Sequence, residues 1–184
     1  MNLSQPELSP EIVRLLHQYG KKQAFKTHEI LARVGERCNT VYYVLKGGFL
    51  RRFYNEHSDI LRTISFHLPT HRPFMTLNES FFTQKPSLYE IRAFQYSEVL
   101  LFSRELIEEM NAKHDFLQTF NHQWILGTLL FENEFKARLI SYSSKEFYEY
   151  LCQKYPELIK EVPSKYIAEV MRISPEWLSK LRQK

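Results

Sequence analysis

From about residue 23 to residue 102 the chain alternates apolar and polar positions in short bursts: EILARV, TVYYVL, FLRRFY, ILRTISF, YEIRAF and EVLLFS, spaced by roughly ten residues with turn residues between several of them. Runs of this length, rich in Val, Ile, Tyr and Phe, predict strands of an antiparallel barrel or sandwich. Gly47-Gly48, between TVYYVLK and FLRRFY, is a hairpin signal. Upstream the period is that of a helix. Ser9 is a candidate N-cap, Pro10 suits the first helical position, and Ile12, Leu15, Leu16 and Tyr19 share a face before Gly20 stops the element.

Helical spacing returns after Ser103, a candidate cap for RELIEEMNAK, and Asp115 is a candidate cap for a long helix reaching about Ile140. Within it Phe116, Phe120, Trp124, Gly127, Phe131 and Phe135 recur every three or four positions, while Leu117, Ile125, Leu126, Leu129 and Leu130 fill other sides. A helix apolar on more than one face needs cover from more than one direction. The expectation is that its own barrel covers one side and a second copy of the chain the stripe Phe116, Phe120, Trp124, Gly127 and Phe131, with Gly127 permitting close approach. The competing reading is a helix simply buried in a monomer core. Ser143 and Glu146 form a capping box for KEFYEYLCQKY, which ends before Pro156.

The last stretch, VPSKYIAEVMRISPEWLSKLRQK, reads as two short helices about a tight turn. Ile167, Ala168, Val170 and Met171 give the first an apolar face, and small Ala168 suits a steep crossing. Ser174 caps the second with Pro175 in its first position, and Ile173, Leu178 and Leu181 point inward. Such a helix-turn-helix leaves Glu176, Trp177, Ser179, Lys180 and Lys184 outside, where a second helix meets base edges in a DNA major groove. Lys180 suits guanine acceptors, Glu176 the cytosine amino group, and Ser164 and Lys165 phosphates. Trp177 admits two readings, exposure toward DNA or packing against Tyr166 or the capping helix, with partial burial preferred.

Composition narrows the class without naming a partner. The 184 residues carry a net charge of +4, 43% hydrophobic residues and only 5 Gly, which is ordinary globular composition. Residues 138–184 hold nine Lys/Arg against six Asp/Glu, so much of the excess sits at the end expected to meet DNA. No run approaches a membrane span, MNLSQPELSPE lacks a signal-peptide pattern, and Cys38 and Cys152 match no metal spacing, so a reduced cytoplasm is expected. His67 and His71 straddle Pro69 rather than sharing a helical face; no nucleophile elbow, phosphate loop or carboxylate pair stands out, and no enzyme, metal site or cofactor is expected.

FKTHEILARVGERCNTVYYVLKGGFLRRFY, with Glu29-Ile30, Gly35-Glu36, Tyr43-Val44-Leu45 and Gly47, resembles the opening of a cyclic-nucleotide-binding β-roll. Together with the terminal helix pair it resembles the Crp/Fnr family of bacterial transcription regulators over nearly the whole chain. That resemblance implies an α+β fold: a double-stranded β-helix, a jelly-roll-like sensor with flanking helices, over 1–114, a connecting dimerisation helix over 115–140, and an all-α helix-turn-helix module over 141–184. It implies a homodimer on double-stranded DNA, with a small-molecule effector and RNA polymerase as further candidate partners and no membrane.

Three departures from the family pattern bear on function. The family's cyclic-nucleotide Gly-Glu pair is replaced by Thr76-Leu77, and Ser87-Leu88 stand where its Arg would be. Cyclic AMP is therefore not expected, and Thr76, Leu77, Asn78, Glu79, Ser80, Ser87 and Tyr89, with Asn78 capping a short helix, are the candidate pocket for another ligand or none. Arg172 stands where the family usually has the Gly that ends the first helix of the motif, and little or no wing follows the second. The last two points motivate an alternative: a ligand-binding or protein-interaction module whose helix-turn-helix no longer binds DNA.

Overall fold

A computed structural model describes Pro6 and residues 8–183. Helix α1 (Pro10–Tyr19) begins at its predicted cap, the Ser9 hydroxyl accepting the Ile12 amide at 3.2 Å, and closes with the Gly20 amide on the Leu16 carbonyl. Eight strands follow: β1 (Lys21–Phe25), β2 (Ile30–Ala32), β3 (Thr40–Lys46), β4 (Phe49–Asn55), β5 (Ile60–His67), β6 (Phe74–Met75), β7 (Tyr89–Ala93) and β8 (Ser97–Ser103), with α2 (Asn78–Thr83) between β6 and β7. They form two four-stranded sheets, ordered β1-β8-β3-β6 and β2-β7-β4-β5, and every pairing is antiparallel. Val44, Phe49, Ile91 and Val99 fill the space between them, each at most 1% exposed. This is the jelly-roll-like β-roll of the expected α+β fold.

Gly47-Gly48 is not a hairpin. β3 lies in one sheet and β4 in the other, so the pair carries the chain across the sandwich, and the hairpin partner of β4 is β5. Glycine is needed for a different reason: Gly47 has φ +78°, and a Cβ there would overlap the Tyr96 carbonyl and the Ser97 hydroxyl. β1 and β6 escape the strand pattern because KKQAF is exposed at four of five positions and β6 is two residues long.

Six helices complete the chain. The Ser103 hydroxyl accepts the Leu106 amide to start α3 (Arg104–Lys113). Helix α4 (Asp115–Ser141) is not capped by Asp115. His114 occupies the cap position without a side-chain bond, and Asp115 is the first helical residue, where its charge still meets the positive end of the helix dipole. Asn78 is displaced in the same way, with Leu77 at the cap position of α2. The capping box of α5 (Ser144–Lys154) forms in full. Beyond it Pro156 opens a further short helix, α6 (Pro156–Glu161), before α7 (Ser164–Met171) and α8 (Pro175–Arg182).

The terminal helices are packed onto the roll. One apolar cluster joins Leu50, Phe66, Leu68 and Phe94 of the roll with Phe135, Phe147, Leu158, Ile167, Val170 and Leu178. The outer face of β4 and β5 is therefore covered, which explains why both alternating faces of these strands hold buried residues. Among the described residues no helix is long and apolar enough to cross a membrane.

Candidate functional site

Two regions carry the chemistry, a terminal helix pair and a cavity beneath α4. In the first, α7 buries Ile167, Ala168, Val170 and Met171. Its end is a Schellman arrangement: the Ile173 amide reaches the Ala168 carbonyl at 3.0 Å and the Arg172 amide the Glu169 carbonyl at 3.1 Å. Arg172 itself is left-handed, at φ 56° and ψ 37°. The tight turn thus survives the loss of glycine, at an exposed position where the long side chain has room. The Ser174 hydroxyl then accepts the Trp177 amide at 3.1 Å, Pro175 takes the first turn of α8, and Leu178 is fully buried.

This geometry leaves Glu176, Trp177, Ser179 and Lys180 exposed together on α8, with Ser164 and Lys165 exposed at the start of α7. Lys184 lies outside the described residues. Trp177 is 47% exposed, about half covered, and stands outside the apolar cluster that Tyr166 borders. Arg182, not singled out in the sequence, donates to the Ser164 hydroxyl at 2.9 Å and ties the end of α8 to the start of α7. The Glu176 carboxyl is held below the usual carboxylate range by its own backbone amide and by the Ser174 hydroxyl, so it is an anion near neutrality. On the opposite side of α7, Glu169 accepts from the Thr63 hydroxyl at 2.7 Å and lies 3.9 Å from the Arg52 guanidinium, an anchor to the roll.

The cavity, about 640 Å³, lies between α4 and the roll and extends to α1, α2 and α3. Most of its wall is apolar, including Leu16, Phe74, Met75, Phe81, Phe102 and Met110. Of the predicted pocket residues only Thr76 and Asn78 line it. Leu77 is buried in the roll core, and Glu79 is exposed. Ser80 is consumed by the Cys38 amide at 2.9 Å and the Lys85 carbonyl at 2.6 Å, and Ser87 by the Tyr89 amide at 2.9 Å. Tyr89 packs on Phe53. Arg92 is bound to Glu90 at 2.9 and 3.2 Å, which removes it as a phosphate ligand.

The charged part of the cavity wall was not visible in the sequence. Arg51 and Arg72 both donate to one oxygen of Glu132, at 2.8 and 2.7 Å. Burial alone would raise the Glu132 carboxyl, but Arg72 and Arg51 outweigh it and hold the group below its usual range. Beside them His67 meets the Arg72 carbonyl through Nδ1 at 2.9 Å. Burial, reinforced by the charges of Arg72 and Arg51, pushes its pKa well below that of free histidine, so it is neutral. His71 is spent elsewhere, its Nδ1 3.3 Å from a Glu157 oxygen. No group of three or more metal-type side chains converges among the described residues.

No family model matches the sequence, and no curated protein matches it. Solved structures do. FixK2 from Bradyrhizobium japonicum aligns with a TM-score of 0.68 and 16% identity over 89% of this chain and 83% of that one. CprK complexed with OCPA gives 0.67 and 12% over 97% and 84%, and a CooA mutant from Carboxydothermus hydrogenoformans 0.67 and 16% over 100% and 84%. The chain has the Crp/Fnr-type fold.

Within this Crp/Fnr-type fold the expected dimer stripe of α4 turns inward. Phe120 and Trp124 pack on Phe74, with ring centroids 6.0 and 4.6 Å away, and Phe131 packs on His71 and Tyr155. Gly127 is buried, and of the five residues only Phe116 is exposed. Besides Phe116 near its start and Ile140 near its end, the uncovered large apolar positions of α4 are Ile125, Leu126 and Leu129, at 47%, 48% and 55% exposure. A period of three and four marks several candidate faces on so apolar a helix, and the roll claims the one bearing the aromatics.

Proposed function

We propose that this chain is a dimeric DNA-binding transcription regulator whose β-roll senses a small molecule other than cyclic AMP, with RNA polymerase a candidate partner on the promoter. The single observation that carries the reading is the division of α8. Its apolar residue Leu178 is fully buried, while Glu176 and Trp177 stand free in its capped N-terminal half, the part of a recognition helix that meets base edges, and Ser179 and Lys180 continue the exposed flank beyond it. The Crp/Fnr-type fold supports the same role. Dimerisation is assigned to Ile125, Leu126 and Leu129, an exposed apolar stripe too large for a helix that has no further cover.

Against cyclic AMP, the positions corresponding to its phosphate ligands are Thr76-Leu77 and Ser87-Leu88, and the nearby Arg92 is neutralised by Glu90. Other occupants are consistent with the architecture: CprK has been solved with o-chlorophenolacetic acid, and CLP from Xanthomonas campestris is a c-di-GMP responsive regulator.

The test is selection of binding sites from random duplex DNA, followed by Lys180→Ala and Glu176→Ala. An enriched two-fold half-site, affinity falling steeply with salt as phosphate counterions are released, and roughly tenfold or greater weakening by Lys180→Ala are expected. Unchanged affinity in both variants would remove α8 from the interface. The alternative, a module whose helix pair serves only protein contacts, draws on the anchoring of α7 to the roll through Glu169, and predicts no enriched half-site.

A further inference from the structure

We infer that the cavity under α4 takes an amphipathic monoanion, an apolar body bearing one carboxylate, whose head is bound by Arg51 and Arg72 beside Glu132. The inference deepens the sensor reading above by naming the ligand class.

Charge decides the head group. Arg51 and Arg72 line the cavity with side chains only 11% and 5% exposed, and among the described residues Glu132 is the one acidic residue in its wall. With His67 neutral, two guanidinium charges share one carboxylate, leaving a net +1 in a poorly solvated place. Buried charge without a full complement of partners is expensive, and among the described residues Nε of each arginine has no hydrogen-bond partner. One further negative charge balances the group; a phosphate dianion overshoots. Arginine also suits a carboxylate geometrically, since its planar fork can bind both oxygens.

The wall decides the body. Phe74, Phe81, Phe102 and Met110 offer contact but no hydrogen bonds. Helix α4 lines the cavity from Leu117 to Glu132, a rise of about 22 Å at ~1.5 Å per residue, so an extended or aryl-alkyl body fits better than a compact sugar. Because Glu132 belongs to α4, a ligand head that shares the two arginines with it weakens a tie between that helix and the roll.

The experiment is calorimetric titration of the full-length protein with decanoate and 4-phenylbutyrate, each beside its neutral amide, and with decyl phosphate. Expected are saturable binding of the carboxylates, at least tenfold weaker binding of the amides, and weaker binding of the phosphate. Equal affinity for acid and amide, no saturation by either carboxylate below millimolar concentration, or preference for the phosphate would each overturn the inference. Glu132→Gln gives a second readout that a merely structural ion pair would not produce: decanoate should raise its melting temperature more than that of the unmodified protein, and an equal or smaller rise counts against the inference. The wild-type comparison stands even if that variant folds poorly. Carboxylate discrimination without any enriched DNA half-site would preserve the site and sink the regulator; a half-site without discrimination does the reverse.

Discussion

The anchor between α7 and the roll makes a quantitative prediction. Thr63 is 2% exposed, and its hydroxyl donates to Glu169 at 2.7 Å, while Arg52 lies 3.9 Å from the other carboxylate oxygen and also faces Glu90 at 3.6 Å. A hydrogen bond to a charged acceptor contributes about 1.5–3 kcal/mol; the long, partly solvated ion pair adds at most about 1 kcal/mol. Glu169→Ala should therefore cost about 2–3 kcal/mol, since it also strands a buried hydroxyl. Thr63→Val should cost about 1–2 kcal/mol, because the carboxylate it leaves behind retains some water. The double variant should cost less than the sum, with a coupling of about 1–2 kcal/mol. Urea unfolding at one fixed protein concentration measures all four, the fixed concentration being needed because association would shift the midpoints. A coupling under about 0.3 kcal/mol would show that the two groups act independently. The same traces test the shared core: a separate early transition for the terminal helices would refute it.

Two other outcomes follow from single positions. Arg172 is left-handed and exposed, so Arg172→Gly should relieve about 1 kcal/mol of strain, offset in part by the greater freedom of glycine in the unfolded chain; a net gain of up to about 0.5 kcal/mol is expected in urea unfolding, and a loss above 1 kcal/mol would mean the side chain has a structural role. Stability should also fall in mild acid. Burial lowers the pKa values of both His67 and His71 in the folded state, so below the free-histidine value near 6.5 the unfolded chain binds more protons, and each group removes up to about 1.4 kcal/mol per pH unit until its folded pKa is reached. Unfolding free energy measured from pH 7.5 down to 5.5 should be level at first and then decline; a flat profile would contradict the burial of both rings.

Much of the fold was legible because local chemistry specifies it. The Ser9, Ser103 and Ser174 caps and the Ser143–Glu146 box are satisfied within one helical turn, so no distant residue can overrule them. Six of the strands announce themselves through β-branched and aromatic runs. The errors have a common origin in pairing. Gly47-Gly48 signals a change of direction, but whether the next strand returns alongside or crosses to a second sheet depends on what waits at residues 60–67 and 89–93. The aromatic stripe of α4 shows that the helix is covered, not by what. Arg51, Arg72 and Glu132 converge across 81 residues of sequence, and each alone reads as an ordinary surface charge.

The arrangement around Glu132 also limits what a ligand could achieve. Phe131, its neighbour on α4, lies under the Arg72 guanidinium at 4.4 Å and stacks on Phe135 at 5.5 Å, which packs on Phe147 at 5.3 Å inside the core that seats α7. A contiguous route from cavity to helix pair therefore exists, but a route is not yet a coupling. A ligand shifts an equilibrium only by its differential affinity for the two arrangements. Sharing the two arginines between Glu132 and a second carboxylate weakens at most one charge-assisted contact, so the difference available is at most on the order of 1–3 kcal/mol. That corresponds to roughly 5- to 150-fold in DNA affinity, well short of the ~10⁴-fold preference needed to throw a two-state switch from almost fully off to almost fully on. A sensor built on this sharing is a graded modulator. If operator affinity changed by more than a thousandfold with ligand, the switch would have to draw on a larger rearrangement than the weakening of the Glu132 tie, such as ordering of the dimer face proposed at Ile125, Leu126 and Leu129.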